Sequence, residues 1–211
     1  TGAVTGINIG ANGNATLLVV NNNNISQLSS TGAGGKIMAI AAANPSNALN
    51  INLNTIHSLS TTMSSAATGD IFVLDAILVT GSLNTSINSN TIYNLTVSGS
   101  ASSIDGALWL RAIHNHSNGS ANILNNTIHT ITMAGGSPTS RYSSSLIDFL
   151  SSGGGVFTIT GNVIGNTTPH NVVVGNVGNS NSFCYSRGMG GLLTNGRATI
   201  TGNIIQNATI R

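Results

Sequence analysis

Six asparagines, Asn23, Asn54, Asn90, Asn126, Asn162 and Asn203, sit in a phrase that the chain rewrites at intervals of 31, 36, 36, 36 and 41 residues. The residue three before each is apolar: Val20, Ile51, Ile87, Ile123, Ile159 and Ile200. The residue two after is always isoleucine: Ile25, Ile56, Ile92, Ile128, Ile164 and Ile205. The residue five after is Leu28, Leu59, Leu95 or Ile131 in four copies, then Thr167 and Ala208. A second apolar strand precedes each asparagine: "GINIG", "KIMAIAAA", "DIFVLDAILV", "DGALWLRAI", "SLIDFLSS" and a weaker "RGMGGLL". Each repeat therefore holds two or three short strands with turns between them. One such unit cannot bury its own apolar face, whereas stacked units can, which is the logic of a solenoid.

The asparagine has a physical reason to recur. At a corner between two strands of a coil, one residue must take a left-handed or bridging conformation, and Asn tolerates this better than other non-glycine residues. With Asn at the same corner of every coil, each side-chain amide can bond those above and below. The isoleucine two residues on then points inward and stacks on its equivalents. Differences in repeat length are expected in polar turns such as "SGSASSIDG", "AGGSPTSRYSS" and "GNVGNSNSFCYSRG".

Composition fits strands and excludes several functions. Only 5% of the chain is charged while 40% is hydrophobic, unlike a solvated disordered chain. There is no Glu, and the acids are Asp70, Asp75, Asp105 and Asp148. Lys36, Arg111, Arg141, Arg187, Arg197 and Arg211 are scattered, so no basic stripe exists to neutralise phosphates and nucleic acid is not an expected partner. No run approaches the roughly 18 apolar residues of a membrane helix, and no membrane insertion is expected. Cys184 is the single cysteine, which rules out an intrachain disulfide; buried filler or a free loop thiol is its expected state. The nine Asn-x-Ser/Thr sequons are what this composition produces by chance. "SSGGGVF" and "TGAGGK" lack a following helix and are not phosphate loops.

"ITGNVIGN" and "ITGNIIQN" resemble the coil consensus of right-handed parallel β-helix proteins of the pectin-lyase-like fold. "NTIYNLTVSGSASSIDG" and "NTIHTITMAGG" resemble repeat proteins of the bacterial cell surface, of the type IX-secreted adhesin and stalk kind. The resemblance runs from about Gly6 to Ile210. It implies an all-β, right-handed parallel β-helix of about six coils, roughly 25 to 30 Å long, with residues 1–211 as one domain, a segment of a longer repeat protein or a stacking fibre subunit. It also implies an extracellular or cell-surface location.

Aligning strands on their inward residues gives one charged column, Asp75, Arg111 and Asp148, on the outer face of successive coils. An acidic-polysaccharide lyase or hydrolase would use such residues. An arginine between two carboxylates, however, keeps both ionised and raises neither to an acid's pKa, so an ion-pair ladder is the expected role. His57, Tyr93 and His129 share one position and form an outward aromatic column, for stacking or sugar contact. The two histidines are two coils apart, on the order of 9 to 10 Å, too far for one zinc. His114 and His116 in "IHNHS" have no third ligand. Ice or mineral binding would require an outward Thr-x-Thr on every coil, and only Thr158–Thr160 and Thr199–Thr201 qualify. The sequence thus points to a non-catalytic structural or adhesive fibre, stalk or filament, without metal or cofactor. Its expected partners are further copies or flanking repeats end to end, and surface glycans. The runner-up is an enzyme acting on an acidic polysaccharide.

Overall fold

The structure, a computed structural model, describes residues 3–10, 17–32, 35–43, 48–63, 71–81, 84–99, 108–117, 119–133, 141–151, 153–169, 171–174 and 183–210. They form a parallel β-helix with no helix among them. Three parallel sheets run along its length, and each of six coils contributes to all three. The first sheet takes the long strands Ala3–Ile9, Lys36–Ala43, Ile71–Thr80, Leu108–His116, Arg141–Ser151 and Phe183–Leu193. The second takes Leu18–Asn21, Ala48–Asn52, Asn84–Asn88, Ser120–Leu124, Val156–Thr160 and Arg197–Thr201. The third follows the asparagine corner, with Thr55–Met63, Thr91–Gly99 and Thr127–Met133 at its centre and split strands in the first, fifth and sixth coils.

The corner is built by two residues, and the left-handed one is not the ladder asparagine. Positive φ falls on the residue before it: Asn22 (58°), Leu53 (59°), Ser89 (54°), Asn125 (54°), Gly161 (69°) and Gly202 (62°). The asparagine has a different task. Its Oδ1 accepts two bonds from the preceding coil, from the main-chain N–H and from Nδ2 of the asparagine there. Asn90 Oδ1, for example, lies 3.0 Å from Asn54 N and 2.9 Å from Asn54 Nδ2. Its own Nδ2 bonds Asn126 Oδ1 in the next coil at 2.9 Å and the Ile51 carbonyl in the previous coil at 2.8 Å. The same exchange links Asn23 to Asn54, Asn126 to Asn162 and Asn162 to Asn203. Asn54, Asn90, Asn126 and Asn162 are buried, so these bonds replace water for four amides.

The interior is a stack of like residues. Ile25, Ile56, Ile92, Ile128, Ile164 and Ile205 follow one another in register across the third sheet. Val20, Ile51, Ile87, Ile123, Ile159 and Ile200 do so across the second. All members from coils two to five are fully buried. The fifth coil departs from the expected pattern. Val172, not Thr167, lies opposite Ile131 and takes its buried place, while Thr167 is exposed. The five extra residues of the last interval therefore sit between Ile164 and Val172, not in the turn "GNVGNSNSFCYSRG". A strand pair can absorb an insertion where it is already broken by a corner, and Gly165 (φ 85°) supplies that break. The polar segments 100–107, 134–140 and 175–182 lie outside the described residues.

Two stability outcomes follow from this geometry. Asn90→Ala should cost about 1 to 3 kcal/mol by leaving buried partners unsatisfied, and Ile92→Ala about 2 to 5 kcal/mol through the cavity it leaves; chemical denaturation measures both. Leu53 is left-handed yet 56% exposed, so the residue is strained without compensating burial. Leu53→Asn, the residue type of the first and fourth coils at this position, should raise stability by up to about 1 kcal/mol. An unchanged or lowered denaturation midpoint would show that the left-handed backbone is not costly there.

Candidate functional site

The outer face of the first sheet carries the densest cluster of ionisable groups. Arg111 and Asp75 are direct neighbours in register. Arg111 Nε donates to Asp75 Oδ1 at 2.6 Å and Nη2 to Oδ2 at 2.9 Å, a two-pronged pair with both residues buried. Asp148 is not in that column. Its strand pairs with His114 opposite Asp148 and Ile113 opposite Ile147, which places Asp148 three residues along from Arg111's own position. The expected Asp75–Arg111–Asp148 column is thereby corrected to two adjacent columns.

A bend in each strand causes the displacement. Ala39–Ile40, Ala76–Ile77, Ala112–Ile113 and Leu146–Ile147 are consecutive pairs buried together, so strict alternation fails there and an alignment by alternation slips. Arg111 still reaches across the bend, with Nη1 3.9 Å from Asp148 Oδ2. Asp148 Oδ1 is also bonded by Ser145 Oγ at 3.2 Å and by Arg187 Nη2 at 3.3 Å. The result is a network across four coils, Asp75 to Arg111 to Asp148 to Arg187.

His114 belongs to this network rather than to a pair with His116. The two imidazoles are 6.3 Å apart and tilted by 34°. His114 Nε2 instead lies 3.2 Å from Arg111 Nη1. A guanidinium can only donate, so Nε2 accepts and the ring is neutral, with its proton on Nδ1. Burial, reinforced by the positive charge of Arg111 and then by His116, pulls the His114 pKa down to about 3. Burial pushes the Asp75 carboxyl up from its ordinary value, with the two bonds from Arg111 pulling the other way. A cavity of about 280 Å³ adjoins the cluster, lined by Lys36, Met38, Asp75, Leu78, Arg111 and His114 among others. Sequence spacing did not reveal His114, Arg187 or Lys36 as members; the bend brings His114, three residues beyond Arg111 in one strand, back to the guanidinium.

The third sheet carries the other candidate surface. His57, Tyr93 and His129 are opposite one another in register. Their rings stack at 4.9 and 5.1 Å between centroids, within 8° and 9° of parallel. His57 Nδ1 and Nε2 lie 3.1 Å from Ser58 Oγ and Asn24 Oδ1, and His129 Nδ1 lies 2.9 Å from Thr130 Oγ1. Ser58, Asn94 and Thr130 form a second left-handed corner (φ 54° to 55°) immediately after the rings. Columns of hydroxyls flank the stack, Thr55, Thr91 and Thr127 on one side and Ser60, Thr96 and Thr132 on the other. A further asparagine column runs outside the second sheet, where Asn21 Oδ1 accepts from Asn52 N and Asn52 Oδ1 from Asn88 N at 3.0 and 3.1 Å.

Among the described residues no group of three or more His, Cys, Asp or Glu side chains could hold a metal ion. Nor does any helix there have the length and apolarity to cross a membrane. Cys184 lies in the last strand of the first sheet, and its side chain is outside the described residues. Compared with known protein families, curated proteins and solved structures, the chain matches none.

The buried neutral histidine sets a pH dependence. The unfolded chain takes up a proton near the ordinary His value of about 6.5, whereas folded His114 does so only near 3. Stability present at neutral pH is therefore lost as pH falls through that window, by at most about 1.4 kcal/mol per pH unit from this group. His129, also lowered by burial, acts in the same direction. Denaturation midpoints measured at intervals between pH 7 and 4 should fall, and a His114→Gln variant should flatten the slope.

Proposed function

We propose that this chain is a non-catalytic structural or adhesive β-helix of the cell surface or extracellular space, built to form a fibre, stalk or filament. The observation that carries this is the repetition itself: six coils set the same residue types in register along three parallel sheets, so a further coil of the same kind would extend the rod without a new fold. Ile200 and Ile204 are each 50% exposed and Ile205 is 52% exposed, where the equivalents of Ile200 and Ile205 in coils two to five are fully buried. Ile200 and Ile205 keep the inward pattern of the interior coils, whereas Ile204 continues the outward column of Thr55, Thr91 and Thr127; one further coil of the same kind would cover the first two.

The hydrogen bonds add a direction. Asn23, Asn54, Asn90, Asn126 and Asn162 each donate toward the next coil. Among the described residues, the Asn203 N–H finds no Oδ1 beyond it, and the Asn23 Oδ1 receives no donor from before it. The two end faces are complementary rather than alike. Two like ends would set donor against donor, whereas a head-to-tail stack continues the ladder in the non-closing arrangement that builds filaments. A further coil of the same kind, from another copy or a flanking repeat, fits that seat. The resemblance to surface repeat proteins supports the same role and location.

A carbohydrate-active enzyme is the second reading, and the cavity beside Asp75, Arg111 and His114 is the observation in its favour. The chemistry there is poor for it. Inverting and retaining glycosidases need one carboxyl to hold a proton and the other to act freely, and here Asp75 is bonded through both oxygens to Arg111.

Sedimentation and electron microscopy of the 211-residue chain should show concentration-dependent linear assemblies, abolished by a double Ile200→Lys, Ile205→Lys variant. A monomer at every concentration would contradict end-to-end stacking. Shortening of polygalacturonate or a sulfated glycan, lost in Arg111→Ala, would instead favour the enzyme.

A further inference from the structure

We infer that the outer face of the third sheet, centred on His57, Tyr93 and His129, is a binding surface for a neutral, extended, β-linked polysaccharide lying along the helix axis. This extends the non-catalytic role by naming what would be held, and it rests on that role only in that the glycan is bound rather than cut.

The stack itself sets the mode of contact. The three rings face one another at 4.9 and 5.1 Å, so both faces of Tyr93 are covered and its contact with a ligand is left to the ring edge. Among the described residues no group bonds Tyr93 Oη or His129 Nε2. The stack presents the Tyr93 hydroxyl and His129 Nε2 in adjacent coils, both nitrogens of His57 being bonded to Ser58 and Asn24, with threonine hydroxyls at Thr55, Thr91 and Thr127 beside it in register. Hydrogen-bonding groups thus recur along a straight line at the coil spacing. An extended β-linked pyranose chain advances by nearly the same distance per sugar, so one sugar can address each coil. The aromatic column ends at His129, since the fifth coil places Gly165 after Ile164, the partner of Ile128.

Charge selects the polymer. The described strands of the third sheet contain no Asp, Glu, Lys or Arg. A phosphate or sulfate chain would find no cation, and a uronate would find no counter-charge. A protein partner would need large apolar anchors to fill pockets, and this face is a flat comb of hydroxyls and ring edges. Each sugar makes few contacts, so affinity depends on repetition along the polymer.

Retention on insoluble cellulose, chitin and xylan, at low and high salt, tests the assignment directly. The wild-type chain should be retained by at least one of these neutral polymers, equally at both salt levels, since no charge pairing is involved. Tyr93→Phe keeps the stack and loses the hydroxyl, and should weaken retention several-fold; Tyr93→Ala should weaken it by about tenfold or more. Thr199→Ala, on the second sheet, should leave it unchanged. No retention on any neutral polymer, retention only by an acidic polysaccharide and lost in salt, or full retention by both Tyr93 variants would each overturn the assignment. Soluble sugars released from the matrix would count against the non-catalytic role and leave the surface assigned. A chain that is retained yet never assembles would count against stacking alone.

Discussion

The bond between successive asparagine carboxamides is the interaction on which the rest of this molecule depends. A primary amide offers two donors and two acceptor sites, and in the interior coils the ladder uses all four. Two bonds run between side chains, one forward and one back. The other two serve the main chain of the preceding coil: Oδ1 accepts from the N–H of that coil's asparagine, and Nδ2 donates to the carbonyl three residues before that same asparagine. A left-handed residue at the corner turns the backbone out of its sheet, and those two main-chain groups would be buried without partners. The side chain supplies both. A buried polar group left unpaired costs about 1 to 3 kcal/mol, so the same repair in each coil makes the sharp corner tolerable and fixes the register of the second and third sheets together.

That fixed register is what makes the outer faces ordered. Because every coil places the same position at the same height, His57, Tyr93 and His129 meet as a stack rather than as scattered rings. Arg111 and Asp75 meet as a two-pronged pair for the same reason. The charged network contributes less to stability than its geometry implies, since burying ions costs nearly what their attraction returns. Its consequence is rather a locked, partly dry surface in which His114 stays neutral. The aromatic surface is the more open of the two: His57 spends both ring nitrogens on internal bonds, whereas among the described residues none reaches Tyr93 Oη or His129 Nε2.

Much of this was legible in the chain itself. The six asparagines and the isoleucines two residues later identify the coils, because a core position and a corner position are each restricted to very few residue types. The parallel stack follows, since no single repeat buries its own apolar face. Three details were not legible, for separate physical reasons. The left-handed residue is the one before the asparagine, where the sequence shows Asn, Leu, Ser and Gly without a common type. The place of Val172 in the core is hidden by an insertion inside the third sheet. The position of Asp148 is hidden by the bend at Ala112 and Leu146, where two neighbouring side chains both face inward and the period of two loses its parity.

Hydrogen exchange of the asparagine side-chain amides, followed by nuclear magnetic resonance, tests the ladder most directly. Exposed carboxamides exchange quickly, whereas those bonded in a dry interior exchange only when the structure opens. The Nδ2 protons of Asn54, Asn90 and Asn126 should be protected as strongly as the main-chain N–H groups of Ile56, Ile92 and Ile128. Exchange of these side chains at the rate of the exposed Asn122, with the neighbouring main chain still protected, would show that the coils are held in register without the carboxamide ladder.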